Sequence, residues 1–373
     1  MKIGIDGRLW QETGVGRYIR NLVWGLEKID KKNNYVLFLK KGFKIKELGF
    51  KNTRWKIVET SVHWHSFKEQ LHFPKQLYQE NLDLMHFPYF SLPVFYNRPF
   101  VVTIHDLIIN HFATGKASTL PYPLYRVKRI GYDVVMKHAI DKSQRIIVPL
   151  YAVQDDVIQT FGVPKKKIAV TYEGVEKMAH GKLHMKNSFG KYFLYVGNAY
   201  PHKNLDRLLD AFILFREKKR AEVALVLVGK DDFFFKRLHK RVKQQQIENV
   251  HFKHNVSDEV LASLYANARA FVSPSLMEGF GLPPLEAMSF SCPLLLADNP
   301  AFREVCGDIA WYFKPSDVSL LTEKLEFMYN LDHKKKQEHL AKGRARVQTF
   351  SWEQMTRETI QVYESSVSIR SSE

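Results

Sequence analysis

The chain has 373 residues, 45% hydrophobic and 25% charged, the make-up of a globular protein with room for two domains, each with its own core. Its two cysteines, Cys292 and Cys306, exclude a disulfide framework and a Cys-x-x-Cys metal knuckle, and fit a reducing compartment. The net charge of +17 is concentrated early, with 28 Lys and Arg against 16 Asp and Glu in residues 1–180, and favours an anionic partner: nucleic acid, anionic lipid or a phosphorylated substrate.

Lys2, Asp6 and Arg8 interrupt the N-terminus before an apolar region can form, so no signal peptide is expected, and no apolar run approaches the roughly 20 residues that span a bilayer. Met1 to Asp6 reads as a strand, Gly7 to Gly16 as the loop after it, and Tyr18, Ile19, Leu22, Val23 and Leu26 recur at helical spacing. Strands follow at Tyr35–Leu39, Trp55–Val58, Leu82–His86, Phe100–Ile104 and Gln144–Val148, with a helix over 66–80. Between Gly174 and Gly190 the apolar pattern gives way to Lys, His, Asn, Ser and Gly, a linker. The alternation restarts with strands at Phe193–Val196, Ala224–Val228, Val250–Phe252, Ala268–Val272 and Pro293–Ala297 and helices between them. Helices run from Val318 to Val347 and from Trp352 to about Tyr363, before a serine-rich end expected to fray. Strands alternating with helices in two halves imply two open parallel α/β sheets and a cleft between them, with ligands beyond the carboxyl ends of the strands.

The most pointed stretch is Ser273-Pro-Ser-Leu-Met-Glu-Gly-Phe-Gly-Leu-Pro-Pro-Leu-Glu-Ala-Met288. Gly279 and Gly281 mark a tight loop after a buried strand, and Pro283 and Pro284 suit the first turn of a helix. Strand, glycine loop and helix N-terminus suit an anion, and Glu278 and Glu286 flank the loop. Gly14-Val-Gly16 is no dinucleotide fingerprint, because Ile19 stands where the third glycine belongs. His105-Asp106 follows a buried strand at the carboxyl edge of its sheet, and His86 is placed similarly. His63, His65 and His72 lack metal-ligand spacing and read as structural. Lys203 falls near a helix N-terminus, where a cation does nothing for the helix dipole and a bound phosphate explains it better. Basic and aromatic residues interleave on a helix from Tyr122 to Met136, and Lys31 to Lys46 is similarly cationic; both are ordinary surface or rest on an anionic membrane. No motif for DNA or RNA is present.

Taken together these pieces resemble the retaining family-4 glycosyltransferases of the two-domain GT-B fold, and within them a mannosyltransferase-like group. Glu278-Gly-Phe-Gly-Leu-Pro-Pro-Leu-Glu286 is similar to that family's E-x7-E signature, Ile5–Arg8 and Thr13–Tyr18 to its N-terminal loop, Thr103–Leu107 to its strand-end histidine, and Tyr195–Gly197 with Pro201–Asn204 to its donor-phosphate loop. The resemblance implies two Rossmann-like domains: residues 1–173 for the acceptor, with a C-terminal helix of about 352–373 packed back on it, and residues 174–351 for a nucleotide sugar. It implies that Glu286 binds the ribose hydroxyls and Glu278 the hydroxyls of the transferred sugar, with Phe280, Gly281 and Leu282 offering amides nearby. Lys203 would neutralise the diphosphate, Gly14 and Gly16 would let backbone approach it, His105 would contact the donor sugar beside the reacting centre, and the base would lie near His254–Val256. One departure stands out: relatives place an arginine where this chain has Asn198 or His202, so either His202 or Arg17 supplies the second cation, or the phosphate grip is weaker.

The resemblance further implies front-face substitution with retention, in which the leaving phosphate takes the acceptor proton and no metal or other cofactor is required. Two carboxylates also suggest a glycosidase acid/base pair, but a pair straddling one phosphate-type loop fits hydroxyl binding better. The expected reaction moves a sugar from a nucleotide sugar, GDP-mannose before others, to a glycan or lipid-linked oligosaccharide in cell-surface polysaccharide synthesis, on the cytoplasmic face of the membrane as a peripheral protein. The alternatives are a UDP-hexose or UDP-N-acetylhexosamine donor, or a non-catalytic assembly subunit that binds a sugar nucleotide.

Overall fold

The computed structural model describes residues 1–44, 48–50, 53–112, 121–175, 189–219 and 222–368. Most of the linker expected over 174–190, the far end of the cationic stretch at residues 45–46 and the serine-rich end at 369–373 lie outside the described residues. In chain order the first half contains β1 (Lys2–Asp6), α1 (Gly14–Ile29), β2 (Asn34–Lys40), β3 (Trp55–Thr60), α2 (Phe67–Gln79), β4 (Leu84–Phe87) and β5 (Phe100–Thr103). A single turn, α3 (Ile108–His111), is followed by α4 (Tyr122–Lys142), β6 (Arg145–Val148), α5 (Tyr151–Phe161) and β7 (Ile168–Val170). The second half runs β8 (Tyr192–Val196), α6 (Leu205–Lys219), β9 (Ala224–Val228), α7 (Phe233–Gln244), β10 (Val250–Lys253), α8 (Asp258–Asn267) and β11 (Ala270–Ser273). It continues α9 (Leu282–Ser289), β12 (Leu294–Ala297), α10 (Pro300–Cys306), β13 (Trp311–Phe313), α11 (Val318–Tyr329) and α12 (His333–Val347), and the chain's last helix is α13 (Trp352–Ser368).

The described residues of Met1–Leu107, Ser118–Gly174 and Ser351–Glu373 form one compact unit, and those of Ile108–Ala117 and Val175–Phe350 the other. The first unit carries a seven-stranded sheet in the order β3-β2-β1-β4-β5-β6-β7, the second a six-stranded sheet in the order β10-β9-β8-β11-β12-β13. Every pair in both is parallel. Parallel strands need a crossover for each return, and helices supply it except between β2 and β3 and between β4 and β5, where no α-helix is described. Burial on both faces explains why the strands read as continuous apolar runs: Tyr35 to Leu39 in β2 and Ala224 to Val228 in β9 are buried throughout.

The core of the first unit gathers Ile3 and Ile5 of β1 with Tyr18, Leu22 and Leu26 of α1 and Met355, Val362 and Tyr363 of α13. The final helix is therefore built into that unit's core, although the six strands β8–β13 and seven helices α6–α12 separate it in sequence from β7. In the second unit Phe193, Leu208, Phe212, Leu225, Val272, Leu295 and Leu325 join strands to helices on the same principle. Helix starts are fixed by side-chain caps: Ser66 Oγ accepts from Glu69 N at 3.2 Å, Asp232 Oδ1 from Phe234 and Phe235 N at 2.9 Å, and Asn299 Oδ1 from Phe302 N at 2.9 Å.

Strand order reverses direction beside the first strand of each sheet. β1 lies between β2 and β4, and β8 between β9 and β11. Loops leaving such a pair diverge and open a crevice at their carboxyl ends, the favoured ligand position in open α/β sheets. The loops after β1 and after β8 and β11 hold most of the residues that the sequence singles out.

Candidate active site

In the second unit two loops meet at that reversal. The loop after β8 turns at Asn198, whose Oδ1 accepts from Tyr200 N at 3.3 Å and whose carbonyl accepts the Tyr195 hydroxyl at 2.6 Å. It then makes one 3-10 turn, Pro201–Lys203, and reverses at Asn204, which adopts φ +60°. The loop after β11 runs beside it. His202 O accepts from Leu276 N at 2.8 Å, and Asn204 Nδ2 donates to Pro274 O at 3.1 Å and to Pro315 O at 2.9 Å. Across this seam Lys203 Nζ lies 2.7 Å from Glu278 Oε2, both side chains largely buried. Residues 75 positions apart are thus clamped by backbone, amide and charge together.

The glycine loop behaves as its composition requires. Gly281 takes φ +92° at the N-cap of α9, a conformation that a β-carbon disfavours, and a β-carbon there would stand 3.1 Å from the Phe302 ring. Leu282, Pro283 and Pro284 then open the helix, and Phe280 is buried edge-on against Phe350 at 5.7 Å. Glu286, 3% exposed, accepts the Tyr265 hydroxyl on Oε2 at 2.9 Å. Val256 lies half-buried on the loop between β10 and α8, next to Asn255 at φ +50° and near His254, whose Nδ1 is 2.9 Å from Gly229 O.

His202 does not bring a second cation. Its ring is buried against Tyr200, and burial, with the charge of Lys203 adding and that of Glu278 opposing, pushes its pKa down to about 4. It is neutral near pH 7, as is the Asn198 amide, so the charge in this corner is that of Lys203 and Glu278.

In the first unit Gly14 opens α1 with nothing within 4 Å of where a β-carbon would stand, whereas one on Gly16 would sit 2.7 Å from Trp10 O and 2.8 Å from Leu9 O. Gly16 is therefore needed for α1 to pack on its own preceding loop. His105 follows β5 with its ring edge-on to Tyr18 at 4.8 Å, Nδ1 3.2 Å from Glu173 Oε1 and Nε2 3.0 Å from Pro88 O. His86 is fully buried between Tyr363 Oη at 2.7 Å and Thr103 Oγ1 at 2.8 Å, and burial with the nearby His105 charge drives its pKa down to about 3. It is a core histidine. Among the described residues no group of three or more His, Cys, Asp or Glu is placed to hold a metal, and His63, His65 and His72 are not brought together as ligands.

The structure thus pairs Lys203 with Glu278, sets Asn198 and His202 on the same loop as Lys203, and places Phe280 and Gly281 on the turn that leads into α9, which carries Leu282 and Glu286. Tyr195, which donates to Asn198 O, lies in a stretch the sequence matches without giving it a role, whereas Tyr265, on Glu286, and Glu173, on His105, were missed in the sequence. Each is a polar group inside or beside an apolar run, and no local spacing distinguishes it from a core or surface residue.

Two family models cover most of the chain: glycosyltransferase family 4 over residues 13–177 and glycosyl transferases group 1 over residues 182–346. The O-antigen chain mannosyltransferase B of Escherichia coli is 30% identical over 301 residues, 75% of this chain and 74% of that protein. The chain belongs to the family-4 glycosyltransferases. The O-antigen chain mannosyltransferase RfbU of Salmonella typhimurium is 30% identical over 228 residues, 61% of this chain, and the match spans 59% of RfbU's length. Among solved structures, sucrose-phosphate synthase from Thermosynechococcus elongatus superposes on this glycosyltransferase with a TM-score of 0.76 at 18% identity, covering 98% of each chain. The fold of the glycosyltransferase is therefore GT-B, with two Rossmann-like domains, as the family resemblance implied.

Proposed function

We propose that this glycosyltransferase moves mannose, with retention, from a nucleotide-diphosphate donor to a glycan or lipid-linked oligosaccharide in the synthesis of a cell-surface polysaccharide. The observation that carries the reading is the Lys203–Glu278 clamp at 2.7 Å, which pairs a phosphate-seeking cation with a hydroxyl-seeking carboxylate at the strand-order reversal of one sheet. Lys203 neutralises the leaving diphosphate, Glu278 accepts from hydroxyls of the sugar, and the amides of Phe280, Gly281 and Leu282 add donors to the charge between them. Glu286, held by Tyr265, takes the ribose hydroxyls, and Val256 flanks the base. On the same reading Gly14 would admit close approach of backbone to the diphosphate, and His105 would contact the donor sugar. In a front-face displacement the phosphate oxygen receives the acceptor's proton as the sugar–phosphate bond breaks, so the protein supplies orientation and charge and no nucleophile.

The similarity to two O-antigen mannosyltransferases supports mannose as the sugar, and GDP-mannose is the donor proposed with it. A thermal-shift series with GDP-mannose, UDP-glucose, UDP-N-acetylglucosamine and ADP-glucose tests the donor, since a ligand at 100 times its Kd adds about 2.7 kcal/mol to stability. GDP-mannose is expected to give the largest shift and to transfer label to a lipid-linked acceptor. Stabilisation by a UDP-sugar alone replaces the donor, and binding without transfer leaves a sugar-nucleotide-binding assembly subunit. The neutrality of Asn198 and His202, which leaves Lys203 as the cation of that loop, is what favours that second reading.

We also propose an anionic membrane surface as a partner. Phe67 is 88% exposed and Leu71 59% on α2, flanked by exposed Lys68 and Lys75. On α4, Val127, Ile130 and Val134 are each more than half exposed between Arg126, Lys128 and Lys137. Apolar ridges flanked by lysines suit rings and aliphatics in the interface with ammonium groups on phosphates. Among the described residues no helix is long and apolar enough to cross a membrane. Flotation with neutral and with 30 mol% (about a third) phosphatidylglycerol vesicles tests this. Binding to anionic vesicles only, lost in Phe67→Ser/Ile130→Ser, is expected, and indifference to lipid charge and to both substitutions defeats the proposal.

A further inference from the structure

Both ring nitrogens of His105 face acceptors. Nδ1 is 3.2 Å from the carboxylate of Glu173 and Nε2 is 3.0 Å from the carbonyl of Pro88. A neutral imidazole has one N–H and can satisfy one of them; only the imidazolium donates to both. The ring is also closed in by Tyr18, edge-on at 4.8 Å, whose hydroxyl lies 3.2 Å from Thr103 Oγ1. Glu173 is 4% exposed, lies just past the carboxyl end of β7, and is followed by Gly174, where the described chain leaves its unit.

We propose that Glu173 is a positioning residue, whose carboxylate holds His105 as an oriented, doubly donating imidazolium, so that His105 serves transfer through fixed charge and not as a proton acceptor. The proposal rests on the reading of His105 as the group beside the donor sugar. A carboxylate that takes the Nδ1 proton sets the orientation of a functional histidine and stabilises its charged form. A held cation favours the negative charge that grows on the leaving phosphate, and costs no reorganisation when it does so. With both nitrogens donating, the ring has no lone pair to take the acceptor's proton, which leaves that proton to the phosphate, as front-face displacement requires.

The groups around the ring agree. Burial by itself lowers the pKa of His105, but the hydrogen bond and charge of Glu173, the Pro88 carbonyl and the charge of Asp106 outweigh it, and the value is raised. From β4, His86 is neutral and adds no opposing charge, and from α1 the Tyr18 hydroxyl, its pKa raised by burial, stays protonated.

The test uses the full-length protein with 15N-labelled histidine. In the wild type both His105 nitrogens are expected to be protonated at neutral pH. In Glu173→Gln the His105 titration should move to lower pH, and the alkaline limb of the kcat/KM profile should move with it by a similar amount; Glu173→Asp should restore both in part. A structural role alone would lower Tm and leave the titration in place. A neutral His105 ring in the wild type at pH 7, which needs no variant to fold, overturns the proposal, as does an unchanged titration in Glu173→Gln. Full transfer activity in His105→Gln overturns instead the reading on which the proposal rests, and with it the catalytic sense of the Glu173 contact.

Discussion

At the scale of single residues, Lys203 has a partner that a phosphate must compete with. Its 2.7 Å ion pair with Glu278 holds a cation in place, and a diphosphate gains only the difference between two partners. Lys203→Ala leaves Glu278 largely buried and unpaired, so it should cost about 1–3 kcal/mol of stability as well as donor affinity. Lys203→Ala/Glu278→Gln should recover part of the stability and none of the affinity, which calorimetry and nucleotide titration separate in a double-mutant cycle. The two glycines of the first loop divide differently. Gly16→Ala drives a methyl against two backbone carbonyls and should destabilise the fold, whereas Gly14→Ala meets nothing and should stay within about 0.5 kcal/mol of the wild type. Loss of donor binding in Gly14→Ala at unchanged Tm is the outcome expected from the proposed backbone approach. Among histidines, His86 and His202 are held neutral, at about 3 and about 4, but titrate near 6.5 in an unfolded chain. The unfolded state therefore binds more protons in between, and their contribution is complete above about 6.5 and lost as pH falls towards 4 and then 3. His105 has the opposite sign: its contribution is complete below about 6.5 and lost as pH rises through its own raised folded-state value. Tm should decline between pH 7 and pH 5, and His86→Gln should flatten that decline even though it lowers Tm at pH 7; an identical slope in scanning fluorimetry contradicts the assignment.

At the scale of elements, α1 and α13 pack so closely that a β-carbon on Gly25 would stand 2.2 Å from Thr356 Oγ1, a hydroxyl already donated to Trp352 O at 2.8 Å. Gly25→Val should therefore cost about 1–3 kcal/mol, read as a lower denaturant midpoint with unchanged slope. Elements with long apolar runs were legible in the chain: β2, β5, β9 and the helix periodicity of α1 announce themselves because both faces of a parallel sheet are buried. β7 and β13 were not. Each is three residues at a sheet edge, half-exposed, and β7 follows three lysines, so hydrophobic patterning has little to act on. α5 was missed although Gly162 ends it at φ +68° and Pro164 follows, a stop signal that outlasts the weak apolar pattern before it. The site follows the same division. The loop from Glu278 to Glu286 could be read because glycines, prolines and acids are local. The Glu173–His105 contact could not, because it joins positions 68 apart and Glu173 follows a strand that was itself invisible.

At the scale of the whole molecule, the first unit is discontinuous in sequence. Its core takes Met355, Val362 and Tyr363 from α13, and a β-carbon on Gly174 would meet Trp352 N at 2.3 Å, so the segment leaving that unit and the one returning to it touch backbone to backbone. A fragment of residues 1–174 lacks the side chains that cover α1 and the Tyr363 hydroxyl that partners His86, and should aggregate or melt early. A fragment of residues 189–350 keeps its own core and should fold and, on the reading proposed here, bind nucleotide by itself; failure to fold would show that it depends on residues outside the fragment, Ile108–His111 of its own unit among them. A synthetic peptide of residues 351–368 added to the first fragment should restore a cooperative transition. The returning helix also sets an order of events in the cell. A ribosome adding about 5–20 residues per second makes the first sheet early and the helix that completes its core later, with Val175–Phe350 made in between. The N-terminal half must wait, its apolar α1 face unclosed, for as long as the rest takes to emerge, about 10–35 seconds at those speeds, and for that interval it is a client for whatever holds nascent chains apart. The half that was begun second is the one that can finish first.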